Sequence, residues 1–252
     1  MRLSINAVTM GLGSALLVCV AHVHAGQEVS VGRVDVRLPG EDDAWQVYDL
    51  KGEGLRFAGS GVDFQQSGEW KVVVHRSANR VIDALLWFRA NSSGKGRFSG
   101  VQYPGEQCEG ARGVFAEGSE QGAGARSFQC LQVTVPHNVV AANNVNPQVK
   151  NLMAKEGWTW SPSMHAIAAR QFSHSGAFVE VIAFVAPESL PAVDPAAEDQ
   201  AGKDGVSAKS IRWGRLLQEA ATDSVYSIRG NLPVPDLRLP AAHEKDPSAT
   251  TR

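Results

Sequence analysis

Residues 164–187, MHAIAARQFSHSGAFVEVIAFVAP, decide how this chain folds. A mixed first arm ends at Phe172, and His174, Ser175 and Gly176 follow as a polar turn in which glycine tolerates the positive φ of a tight reversal. The second arm, Phe178 to Val185, is apolar at nearly every position, so both of its faces must be covered, as in a central strand with a layer on either side. Glu180 is the exception. A carboxylate there is costly to bury alone, and Arg170 or Gln171 on the first arm is its natural partner, depending on register.

Outward from this hairpin the pattern is mostly strand. Val29 to Leu38 alternates apolar and polar residues, as one strand with one covered face does, and Ala44 to Leu50 offers another. Gly52 to Gly61 reads as a loop. Trp70 to Arg76 and Val81 to Ala90 follow, joined by a short polar link; Leu85-Leu86-Trp87-Phe88 fits neither period cleanly and is read as strand. Arg97 to Tyr103 and Ser127 to Val135 flank a Gly-rich segment, 109–129, and Cys130 points away from the more apolar face of its strand.

Two helices stand out. One has Asn146 as N-cap, Pro147 at the first helical position, a stripe of Val149, Leu152 and Met153, and Gly157 as its stop. The other runs from Ala208 to Asp223 with Trp213, Leu216, Leu217, Ala220 and Ala221 inward. The predicted fold is therefore α+β: an antiparallel sheet of about six to eight strands, two helices on one face and one disulfide.

Met1 to Ala25 has Arg2 in a short n-region, an apolar stretch from Ala7 to Val20, and small residues before Gly26, which predicts a signal peptide cleaved after Ala25. The apolar run is too short for a bilayer-spanning anchor. A lipid-anchored form on Cys19 is disfavoured because Val18 stands where a lipobox wants Gly, Ala or Ser. The domain organisation expected is a signal at 1–25, one domain over 26–230 with a mobile acidic, Pro/Ala-rich insertion at 187–208, and a disordered tail at 231–252. The formal net charge is −2, and five acids fall in that insertion: Glu188, Asp194, Glu198, Asp199 and Asp204. Such a balance excludes the clustered positive charge of a nucleic-acid-binding protein.

Of three cysteines, Cys108 and Cys130 remain after cleavage in an oxidising compartment and are expected to form a structural disulfide. No C-x-x-C spacing supports a redox role. Nucleophile elbow, Walker loop, dinucleotide fingerprint and H-E-x-x-H pair are all missing from the sequence, so no cofactor is implied. His165 and His174 could approach each other on the hairpin, but no carboxylate or thiolate completes a metal set, and Glu41-Asp42-Asp43 reads as a solvated turn. Trp158 and Trp160 flank Thr159, which puts both indoles on one face if that stretch is extended, as the close of a core or as a platform for a ligand.

Trp158, Trp160, Arg170 and Glu180 are the candidate binding residues. The function expected is that of a periplasmic or secreted, non-catalytic envelope protein that binds or scaffolds a partner, either another envelope protein or a saccharide or peptide ligand. The alternative is a periplasmic hydrolase acting on an envelope polymer.

Overall fold

The computed structural model describes residues 26–40, 44–51, 55–58, 63–66, 68–76, 80–91, 108–110, 113–120, 127–135, 146–173, 176–192, 205–227 and 230–239. The expected signal peptide, the Glu41–Asp43 turn, the Arg97–Tyr103 strand, His137, His174 and His243 lie outside these residues.

The hairpin forms as read. Strands β11 (His165–Phe172) and β12 (Phe178–Val185) pair antiparallel in a register that sets Phe172 opposite Phe178 and Arg170 opposite Glu180. Gly176 adopts φ +80° in the turn. Asn91, fully buried, holds that turn by accepting from Phe178 N at 3.0 Å and donating to Gly176 O at 3.2 Å.

The main antiparallel sheet is built around this hairpin. It also contains β3 (Gln46–Leu50), β6 (Gly68–Arg76), β7 (Val81–Asn91), β8 (Val114–Glu120) and β9 (Phe128–Thr134), in the order β3-β6-β7-β12-β11-β9-β8. A short β10 (Thr159–Trp160) pairs parallel with the start of β7. The ambiguous Leu85–Phe88 run is strand, and all four side chains are buried because β7 is covered on both faces.

Each face has its own helix, which corrects the expectation of two helices on one face. Helix α1 (Pro147–Glu156), capped by Asn146 and stopped by Gly157 as read, puts Val149 and Met153 against Val72, Val74, Leu85 and Trp87. Helix α2 (Ala208–Tyr226) puts Trp213, Leu217 and Ala221 against Val73, Leu86, Leu131, Ile167 and Val181. Alternation along every strand dictates that these two residue sets point opposite ways. Leu216, expected inward, is 47% exposed; its neighbour Leu217 takes the inward position.

Four further expectations change. Val29 to Leu38 is a hairpin rather than one strand: β1 (Glu28–Val31) and β2 (Val34–Arg37) turn at Gly32, whose φ of +57° suits glycine. The supposed Gly52–Gly61 loop contains β4 (Leu55–Ala58), paired with β5 (Asp63–Gln66). The insertion is anchored at both ends, with a 3₁₀ turn at Pro187–Ser189, Leu190 1% exposed and Val206 3% exposed. Its remainder, 193–204, is outside the described residues. Lastly, residues 231–239 are not a free tail. Strand β13 (Asn231–Pro233) pairs parallel with β2, Leu232 and Val234 are buried, and Trp213 Nε1 donates to Asp236 O at 3.1 Å. Prolines are tolerated because β13 is an edge strand.

Cys108 and Cys130 are bonded, with Cα atoms 5.5 Å apart. The bridge passes over Gly118 of β8, where a Cβ would stand 2.6 Å from Cys108 Sγ and 2.6 Å from Gln129 O. The Gly-rich segment thus carries a strand whose glycine makes room for the crosslink. Replacing both cysteines by Ser should lower stability by about 3 kcal/mol, through the freed loop of the unfolded chain. Urea denaturation checks this, and a loss below about 1 kcal/mol would contradict the loop-entropy account.

Candidate functional site

Five strands bring one row of side chains across the α1 face of the sheet. Register sets Trp70 opposite Arg89, Arg89 opposite Glu180, Glu180 opposite Arg170, and Arg170 opposite Cys130. Of the two partners expected for Glu180, the register selects Arg170: its Nε donates to Oε1 at 2.6 Å, and its Nη1 donates to Gln132 Oε1 at 2.7 Å. Gln171 instead faces α2 and accepts from Thr222 Oγ1 at 3.1 Å.

A second arginine was not foreseen. Arg89 Nε lies 3.0 Å from Glu180 Oε2. Its N–H does not point along that line, so the contact is a charge pair rather than a directed hydrogen bond. The Glu180 side chain is 6% exposed, against 17% for Arg170 and 22% for Arg89. Two cations around one buried anion leave the row with an excess positive charge. The Arg89 guanidinium also lies 5.4 Å from the Trp70 ring centroid and 5.2 Å from that of Phe178. Those contacts contribute about 0.5–2 kcal/mol each, depending on desolvation.

Trp70 and Trp87, with ring centroids 5.6 Å apart, bury indole N–H groups that meet no acceptor among the described residues. Arg89 interrupts an apolar strand just as Glu180 does. That signal was present in the sequence, but it has meaning only once β7 and β12 are known to be neighbours.

Trp158 and Trp160 are not brought to this row. Trp160 pairs with Ile82, at the other end of β7 from Arg89. Trp158 is 5% exposed and packs edge-on against Tyr48 at 5.3 Å, while the half-buried Trp160 packs against Phe184 at 5.1 Å. Both indoles lie on the α1 face and close that core.

Near that end of β7 a cavity of about 520 Å³ is lined by Asp83, Ser161, Glu188, Ser189 and Arg238. Its carboxylates are engaged: His75 Nδ1 donates to Asp83 Oδ2 at 3.2 Å, and Ser163 Oγ donates to Glu188 Oε1 at 2.7 Å. His165 and Ser210 share a 2.8 Å hydrogen bond, but they are 5% and 0% exposed, which denies Ser210 access to a substrate. Among the described residues, no three His, Cys, Asp or Glu side chains converge to hold a metal ion, and no helix is long and apolar enough to cross a membrane.

No family model matches this chain, and neither does any curated protein or solved structure compared with it. The site therefore has to be read from its own chemistry.

Burial holds the imidazoles of His75 and His165 below their ordinary value. Asp83 opposes this at His75, and the Glu188 charge opposes it at His165, without cancelling it. Below about pH 6.5 the unfolded chain takes up protons that the native state refuses, so stability falls as pH drops through the lower native values. Melting temperature should accordingly decline between about pH 7.5 and 5.5. The decline should be shallower in His165→Gln; an unchanged slope in both His165→Gln and His75→Gln would refute the assignment.

Proposed function

We propose that this protein is an exported, non-catalytic binding protein of the cell envelope. The observation that carries the reading is Glu180 held between Arg170 and Arg89. Both carboxylate oxygens face arginines, which leaves neither open to a substrate proton, whereas the second arginine supplies more positive charge than the anion needs. The buried Ser210 and His165 also speak for binding over turnover. The export half of the reading rests on the leader-like residues 1–25, and the Cys108–Cys130 bridge is compatible with an oxidising compartment.

Mass spectrometry of the protein recovered from a periplasmic fraction should give Gly26 as its first residue; acylation at Cys19 would make it membrane-anchored instead. The mature protein should leave peptidoglycan fragments and model esters intact. Hydrolysis that disappears in Glu180→Gln would overturn the non-catalytic reading.

The cavity beside Asp83 and Glu188 favours a second reading, hydrolysis of an envelope polymer by a carboxylate pair. Turnover lost in both Asp83→Asn and Glu188→Gln, each folded as wild type, would establish it.

A further inference from the structure

We propose that Arg89, set between Trp70 and Phe178, is the recognition point for a carboxylate on an apolar or aromatic ligand. This inference rests on the binding reading and names its ligand class. Arg89 comes nearest to Glu180 through Nε, at 3.0 Å, and no hydrogen bond joins the outer nitrogens of its planar fork to a described residue. The side chain keeps 22% of its surface in water and is reachable. A fork of this kind matches the two oxygens of a carboxylate in a bidentate pair.

The surroundings select for that group. Rings on two sides hold the guanidinium in place and lower the local dielectric, which strengthens a charge-assisted bond and offers contact to an apolar body. Trp70 and Trp87 contribute two more donors, because an indole N–H can only donate and neither has an acceptor among the described residues. Unsatisfied buried donors of this kind are uncommon in folded proteins. Both nitrogens are shielded from water, so an arriving acceptor would engage them through a tilt of the ring.

Among the described residues, every uncommitted side-chain polar group in the patch is thus a donor, which calls for an anion. The row's excess of positive charge over Glu180 is that of a single arginine, which suits a monoanion and leaves a phosphate dianion undercompensated in a half-buried site. Arg170 is committed to Glu180 and Gln132 and acts as a positioning residue that keeps Glu180 from neutralising Arg89 fully.

The test uses the full mature protein and three probes: N-acetylphenylalanine, its C-terminal amide, and phenyl phosphate. Calorimetric titration and tryptophan fluorescence are the readouts. The acid is expected to bind in the millimolar range and to change tryptophan emission, with the amide at least about tenfold weaker. Arg89→Gln should lose the same factor, Trp70→Phe should lose most of the emission change, and the exposed Arg212→Gln should match wild type.

Because Arg89→Gln could disturb the fold through Glu180, Arg89→Lys serves as a second variant: it keeps the charge and removes the fork, and is expected to bind the acid weakly while melting near wild type. Equal binding of acid and amide, or full affinity in a folded Arg89→Lys, overturns the carboxylate assignment and leaves the binding-protein reading standing. Tighter binding of phenyl phosphate overturns the monoanion argument. No binding of the acid at millimolar concentration overturns the proposal. Chemical conversion of any probe, seen by mass spectrometry, would instead count against the non-catalytic reading.

Discussion

Replacing Glu180 by Gln should cost about 3–5 kcal/mol of stability, toward the lower end because both arginines retain contact with water. The change keeps the shape of the side chain and removes the charge that holds Arg170 and Arg89 on an otherwise apolar sheet face. Urea denaturation at constant m isolates the effect. A companion variant gives the sharper result. Substituting Glu180→Leu, Arg170→Met and Arg89→Met together should recover most of the loss, since a buried ionic group seldom outperforms apolar residues of similar volume. Recovery would mean that the charges are kept for something other than stability, as the ligand proposal requires. If Glu180→Gln costs less than about 1 kcal/mol, the row is better solvated than its burial implies.

Trp213→Ala should be equally damaging, at about 3–5 kcal/mol, because it empties one of the largest fully buried volumes in the core between α2 and the sheet. It also releases the C-terminal segment, which the indole holds through Pro235 O at 3.3 Å and Asp236 O at 3.1 Å. Hydrogen exchange should therefore accelerate at Val234 N and Arg238 N, which donate to Arg37 O and Ser189 O. Trp213→Phe keeps an aromatic ring in the core and loses the shared N–H and part of the volume, so it should cost less, about 1–3 kcal/mol. Unchanged protection of those amides in Trp213→Ala would show that β13 holds the segment without the indole.

Local pattern made the central hairpin, α1 and the Cys108–Cys130 pair legible, because period, caps and cysteine count act within a short stretch of chain. The partner of Glu180 could be narrowed to Arg170 or Gln171 for the same reason, and the hairpin register selects Arg170. Arg89 could not be named: its relation to Glu180 depends on which strand β12 adopts as its other neighbour. The placement of α1 and α2 on opposite faces was hidden likewise, since each has one apolar stripe and nothing in either stripe says which side of the sheet it will meet. Composition misled where it averaged over a segment. Prolines and acids around Leu190, Val206, Leu232 and Val234 outweighed the apolar residues that anchor the chain there, and glycines around β8 concealed a strand in which one of them is needed for clearance over the bridge.

The parallel pairing of β13 with β2 has a kinetic consequence. Arg33 donates to Ser227 O across 194 residues of sequence, and Val36 lies beside Leu232. Contacts of such separation form late, because loop-closure entropy must be met before they return any stabilisation. While the ribosome is still making the middle of the chain, the β1–β2 hairpin has no third strand and keeps an open edge. Strand β13, the last among the described residues, therefore acts as a latch: the sheet it shares with β1 and β2 cannot close until synthesis has passed residue 233.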